Sequence, residues 1–242
     1  PFFLALAWWA GRGKAPLTRR DWLGVVGLGF CGYYLSSYLD FLGLQYITAS
    51  LERLILYLNP TLVVLLGWLI YKKPVQPIRM MAMAVSYAGV LVVFVHELTF
   101  TGADVALGGA LVFASALTYA VYLVFSGQLV QRIGAMRLVG WATSVACVCC
   151  IVQFLVLRPL SAMDVPNPVL WLALLNAFAC TVAPVLMVMM AIERIGAALA
   201  AQTGMIGPMA TITLGVVVLD EPLNLWIGAG TLLGVGGVFL VT

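Results

Sequence analysis

The chain has 242 residues, 64% of them hydrophobic and 9% charged, and a net charge of +3. Ordinary soluble domains hold roughly 45–50% apolar and about 25% charged residues, so a soluble fold cannot hide this much apolar surface. Lipid offers no partners to backbone N–H and C=O groups, which leaves helices or a closed barrel; continuous apolar stretches of about 20 residues, without short-strand alternation, select helices.

Breaking the chain at glycines, prolines and charge clusters gives an apolar stub at 1–10 and then spans near 22–47, 49–71, 77–96, 105–131, 137–158, 167–192, 196–219 and 223–242. That makes eight full helices and a stub. The linker after the stub carries Arg12, Lys14, Arg19 and Arg20, and the loops with Lys72, Lys73 and Arg79 and with Arg132 and Arg137 are also basic. Counting Arg194, ten Lys and Arg residues fall on one side and only Arg158 on the other, together with Glu97, Asp104, Asp164, Asp220 and Glu221. By the positive-inside rule the basic loops are cytoplasmic, and Thr242 ends in the cytoplasm.

Cys31, Cys147, Cys149, Cys150 and Cys180 all lie in apolar stretches, with one histidine in the whole chain. That spacing argues against a metal or redox site and reads as small packing residues. No cofactor is expected.

A self-comparison at a constant shift of 148 residues aligns about 21–93 with about 169–241 without a gap. Ile47 falls on Ile195, Ala49 on Ala197, Pro60 on Pro208, Gly67 on Gly215, Pro74 on Pro222 and Gly89 on Gly237. Lys72 and Lys73 fall on Asp220 and Glu221, opposite charges at equivalent turns. Five spans per repeat, an odd number, put the second copy upside down, an architecture in which two halves supply inward-open and outward-open states of similar energy. The spans 105–131 and 137–158 have no intact counterpart in the first half. The expectation is therefore a ten-span protein of which the N-terminal helix and half the next are missing, with repeats at 1–97 and 104–242.

The two copies, Tyr46-Ile-Thr-Ala-Ser-Leu through Pro60 to Gly89 and Arg194-Ile-Gly-Ala-Ala-Leu through Pro208 to Gly237, resemble the EamA-type ten-helix family of the drug/metabolite transporter superfamily. The second copy, with Asp220-Glu221-Pro222, looks like the common form; the first departs from it with Lys72-Lys73 where an acidic residue is frequent. The resemblance implies an all-α integral membrane protein that exports or exchanges small metabolites such as amino acids or drug-like compounds, with its cavity between two inverted repeats. It also implies the bacterial inner membrane. A small-molecule substrate and the lipid bilayer are the expected partners, and nucleic acid is not.

Polar groups inside spans are costly and face a cavity or a partner. Tyr33, Ser36, Ser37 and Asp40 form one polar stripe, and Ser115, Thr118, Tyr119, Tyr122 and Ser126 a second; Asn176, Thr181, Gln202 and Thr203 are isolated. From these, Tyr33, Ser37, Asp40, Glu52, Arg53, Tyr119, Tyr122, Asn176 and Gln202 are taken as the substrate-binding candidates. The Ser and Thr members have an alternative as interhelical hydrogen bonds. Pro60 and Pro208, each mid-span, are candidate paired hinges. Gly230 and Gly234 form a small-xxx-small face suited to packing within the chain or to a homodimer.

Asp40, Glu52 and Arg53 are ionisable groups left inside helices. A lone charge there is expensive to desolvate, so two readings stay open. Arg53 pairs with Asp40 as a structural bridge, or one of the charges meets the substrate or a coupling proton. A membrane-embedded enzyme is the competing class, but it needs a cluster of His, Asp, Glu or Cys near a membrane face. A channel or structural subunit is the other.

Overall fold

The computed structural model describes residues 1–56, 58–72, 81, 84, 88, 103–203 and 228, without the side chains of Ser50, Ala103, Gln202 and Thr203. Apart from residues 81, 84, 88 and 228, the predicted spans 77–96 and 223–242 lie outside the described residues, as does most of 196–219. Within the described residues every regular element is helical and no strand occurs.

In chain order the helices are α1 (Phe2–Gly11), α2 (Arg19–Leu28), α3 (Ser36–Gly43), α4 (Ala49–Leu56) and α5 (Asn59–Tyr71). Then come α6 (Ala103–Ile133), α7 (Ala135–Leu157), α8 (Asn167–Asn176), α9 (Ala183–Ile195) and α10 (Ala197–Thr203). Two π-helical stretches, Gly29–Leu35 and Ala177–Val182, join α2 to α3 and α8 to α9. Among the described residues four apolar helical runs are long enough to cross a membrane: Leu51–Tyr71, Asp104–Ile133, Ala135–Leu157 and Asn167–Ile195. At 1.5 Å per residue the 31 residues of α6 reach about 46 Å, against a hydrocarbon core of about 30 Å.

The chain divides into two compact units, Pro1–Tyr34 with Phe125–Ala197, and Leu35–Val124 with Ala198–Thr242.

In the first unit α1, α2 and α9 pack on α7. Between helices in lipid no hydrophobic force operates, so close backbone approach through small residues does the packing. Gly140 shows it: a Cβ there would lie 2.7 Å from Ala7 Cβ and 2.8 Å from its Cα and N. Trp22 sits edge-on to Trp141 with centroids 5.0 Å apart. Val25, Val130, Leu138, Val139, Ala142, Met189 and Ile192 fill the interior. Gly134 reverses the chain between α6 and α7 at φ +85°, a left-handed conformation that Gly adopts without steric cost.

Thr18 starts α2 with a capping box. Its Oγ1 accepts the Asp21 N–H at 3.3 Å, and Asp21 Oδ2 accepts the Thr18 N–H at 2.9 Å and its hydroxyl at 2.6 Å. Two otherwise orphaned donors of the first turn are thereby satisfied.

In the second unit α3 and the first part of α6 run side by side. Ser115 Oγ donates to the Ser36 carbonyl at 2.8 Å and lies 3.3 Å from Ser36 Oγ. Seven residues further along α3, Gly43 meets Gly108, seven residues back along α6; a Cβ at either would be 3.0 Å from the other's carbonyl oxygen. This register, two turns apart in opposite senses, makes the pair antiparallel. Leu51, Leu54, Ile55, Leu62, Val112, Ala116, Ala120 and Leu123 complete the buried interior.

Candidate functional site

The apolar interior of the second unit holds charge. Glu52, in the first turn of α4, is fully buried, and neither of its carboxylate oxygens has a hydrogen-bond partner among the described residues. Arg53 Nε lies 3.1 Å from Glu52 Oε2, close enough for charge attraction but not aligned for a hydrogen bond. The Arg53 side chain keeps 36% of its surface exposed. Asp40 on α3 is half-buried, with Oδ1 buried and without a hydrogen bond among the described residues. Asp40 and Arg53 are the charged groups whose fields reach Glu52 among the described residues.

Of the two readings left open for Arg53, the bridge to Asp40 is not formed among the described residues: Arg53 pairs with Glu52. Adjacent residues on a helix point about 100° apart, which counts against a shared third partner but not against each other. The long, flexible arginine stem bends back to the carboxylate beside it. Burial of Glu52 supplies the reason, because an isolated buried carboxylate is the costliest alternative.

Tyr119 and Tyr122 on α6 stack with centroids 5.6 Å apart, and Tyr122 is buried. Ser37 is exposed on α3, one position from Ser36, which faces Ser115. Thr118 Oγ1 turns back to the Ser115 carbonyl at 2.8 Å. Ser36 and Ser115 thus form an interhelical clasp, to which Ser37, Asp40 and the tyrosine pair do not belong.

Tyr33 and Asn176 belong to the first unit. Tyr33 lies in the π-helical stretch Gly29–Leu35, half-buried, and Asn176 is the exposed last residue of α8, at the start of the other π-helical stretch. The side chain of Gln202, and the whole of Pro208, lie outside the described residues.

Pro60 is buried in the first turn of α5, within the span Leu51–Tyr71. A proline here has no N–H to offer the carbonyl four residues back, that of Leu56 at the end of α4. Asn59, immediately before it, is buried with Oδ1 unpartnered among the described residues. This residue is absent from the sequence-derived candidates. A polar amide inside an apolar span next to a proline was the signal that could have found it.

Helices long and apolar enough to span, with ionisable groups buried along one of them, are features of an integral membrane protein. The EamA-like transporter family model matches residues 1–95 and 106–242. The chain belongs to the EamA-like transporter family. It is 31% identical over 242 residues to the uncharacterized transporter YcbK of Bacillus subtilis (strain 168), covering 96% of this chain and 72% of that protein. It is 23% identical over 244 residues to an uncharacterized transporter of Archaeoglobus fulgidus, covering 100% of this chain and 83% of the relative. A crystal structure at 20% sequence identity superposes with a TM-score of 0.70 over 99% of this chain and 83% of the other, a likeness of fold.

Proposed function

We propose that the protein is a secondary transporter, an exporter or exchanger of small metabolites such as amino acids or drug-like compounds, working by alternating access of two inverted repeats. The observation that carries this reading is a repeat in local structure. Helix α2 begins at Arg19 and α8 at Asn167; they end at Leu28 and Asn176. The π-helical stretches begin at Gly29 and Ala177, and α4 and α10 begin at Ala49 and Ala197. Each pair is 148 residues apart, the shift that superposes Pro60 on Pro208. A π-helical stretch is uncommon and is found mostly at functional sites, so its recurrence in register supports duplication of a working element rather than of a generic span.

The two family matches, at 1–95 and 106–242, support the same duplication. Inversion gives two states of similar energy, which is what alternating access requires. Tyr33, Ser37, Asp40, Glu52, Arg53, Tyr119, Tyr122, Asn176 and Gln202 are the groups we assign to substrate contact, with Pro60 and Pro208 as hinges. The basic ends lie in the cytoplasm of a bacterial cell, the C-terminus with them.

Counterflow in proteoliposomes tests the reading. Liposomes preloaded with one unlabelled amino acid or drug-like amphiphile should draw in the same labelled compound transiently above equilibrium. A linear, non-saturating flux would indicate a channel, and chemical conversion of the probe an enzyme; either outcome rejects the transporter mechanism.

A further inference from the structure

One end of the first unit is crowded with cations. Arg12, Lys14, Arg19, Arg20, Arg132, Arg137 and Arg194 stand there against two carboxylates, Asp21 and Glu193. Both carboxylates are already engaged. Arg132 Nη2 lies 2.6 Å from Asp21 Oδ1, and Glu193 Oε1 accepts the Ala135 N–H at 3.3 Å. The third acid of the unit, Asp164, follows the far end of α7.

Three cations without an ion pair among the described residues, Arg12, Lys14 and Arg137, flank the end of α1 beside the α6–α7 turn. Arg12 caps α1 through its backbone N–H on the Trp9 carbonyl, and its guanidinium sits 3.7 Å over the centre of the Trp8 ring. Arg137, one turn into α7, lies against Gly11 and donates from Nη1 to the Ala15 carbonyl at 2.9 Å; its Nε is buried with no partner among the described residues. Lys14 Nζ hangs over the turn at Gly134, 3.2 Å from where a Cβ would stand there.

The linker is pinned in this shape. The Arg137 bond to Ala15 and the Thr18 capping box hold it at two points on either side of Pro16 and Leu17. Their level is also defined. The apolar run of α1 stops at Gly11, directly after Trp8 and Trp9, the kind of aromatic pair that settles at the headgroup boundary.

We propose that Arg12, Lys14 and Arg137 bind the phosphodiester head group of an anionic glycerophospholipid. The guanidinium of Arg137 has donors to spare beyond Ala15, and guanidinium groups match phosphate oxygens in geometry as well as charge. Lys14 contributes a second charge from across the α6–α7 turn. Arg12, held by its stacking on Trp8, closes the site on the acyl side. Arg19 and Arg20 raise the local potential without taking part in it.

The test is a lipid titration of the full chain in neutral detergent micelles, followed by thermal unfolding and by native mass spectrometry. Phosphatidylglycerol should bind saturably and raise Tm, and phosphatidylcholine should not. Each juxtamembrane cation contributes about 1 kcal/mol toward an anionic lipid, so Lys14→Gln and Arg12→Gln should each weaken phosphatidylglycerol affinity about fivefold. The Lys14 side chain makes no hydrogen bond among the described residues, so Lys14→Gln should keep the unliganded Tm. Arg137→Gln should lose both affinity and some intrinsic stability, and Arg137→Lys should recover part of each. Arg158→Gln, at the far end of α7, should leave affinity unchanged.

Unchanged affinity in both Lys14→Gln and Arg12→Gln overturns the site. An equal drop in Arg158→Gln does so too, since it shows attraction by bulk charge. If phosphatidylcholine or inorganic phosphate raises Tm to the same plateau, recognition is not of an anionic lipid and the proposal fails.

Discussion

Arg53 Nε and Glu52 Oε2, on adjacent residues of α4, stand 3.1 Å apart without a hydrogen bond, and the carboxylate is wholly buried. The pair is attractive but poorly solvated by its surroundings. Its members are also unequal, since Arg53 reaches a partly open surface and Glu52 does not.

That inequality makes the two single substitutions diverge. Glu52→Gln removes the buried charge and leaves a half-open arginine, so unfolding in micelles should show no loss or a gain of about 1 kcal/mol. Arg53→Ala strands Glu52 and should cost about 3 kcal/mol, the low end for a buried pair because Arg53 is partly exposed. If Glu52→Gln is the more damaging of the two, the carboxylate has acceptors that this arrangement does not explain. Counterflow on the same variants separates roles: a stable Glu52→Gln protein without transport marks a group kept for function.

Two glycines on different helices should respond in opposite directions to the same change. At Gly140 a methyl group would collide with the backbone of Ala7, which cannot rotate away, so Gly140→Ala should push α1 off α7 and cost about 1–3 kcal/mol. Gly67 on α5 has nothing within 4 Å of the place an Ala methyl would take, among the described residues, and there Ala should gain about 0.5–1 kcal/mol from helix propensity. Denaturant unfolding of both variants in one detergent checks the pair. Equal effects would mean that the α1–α7 contact is loose.

How far these features could be read from sequence depends on the physics behind each. The spans were legible because a continuous apolar run of sufficient length has one solution in lipid, as in Ala135–Leu157. The 148-residue shift was legible because Pro and Gly repeat in register. The π-helical stretches were not: an i to i+5 bond depends on how one helix seats against another, and Gly29, whose Cβ would strike the Ala142 carbonyl, shows that constraint only in three dimensions. The pairing of Arg53 with Glu52 was not legible for a related reason. Spacing fixes where a Cβ points, whereas the end of a long side chain settles wherever burial is most costly. Ser36 and Ser115 stand out in sequence as members of polar stripes, yet only their contact shows which members of each stripe are used in packing.

Asp21 gives a pH signature at the start of α2. The hydroxyl of Thr18, then its backbone N–H, then the charge of Arg132 hold the Asp21 carboxyl below its usual range. A group whose folded pKa is depressed stabilises the fold above its unfolded pKa, and that contribution is lost as pH falls through the folded value. The stability gap between the unaltered protein and Asp21→Asn should therefore be constant from about pH 8 to about pH 5 and close below about pH 4. Thr18→Ala, which removes the cap, should cost about 1 kcal/mol at neutral pH. A gap that instead closes at about pH 6 to 7 would point to a different titrating group.

Pro60 stands where α4 ends and α5 begins, beside the unpartnered amide of Asn59, and it falls in register with Pro208. Without a backbone N–H it cannot bond to the carbonyl of Leu56, so the two helices are free to change their angle at that point. Pro60→Ala restores the donor and lets α4 and α5 run on as one helix. The expected result is a protein at least as stable as the unaltered one, since a missing backbone bond is regained, but with counterflow reduced about tenfold or more because the angle no longer changes. Pro208→Ala should act in the same direction, and the double variant should be slower than either. Normal turnover in both single variants would remove the hinges from the mechanism. Loss of transport together with loss of stability would assign Pro60 to packing, and binding of the substrate at unchanged affinity in a stable, slow variant would assign it to the conformational step.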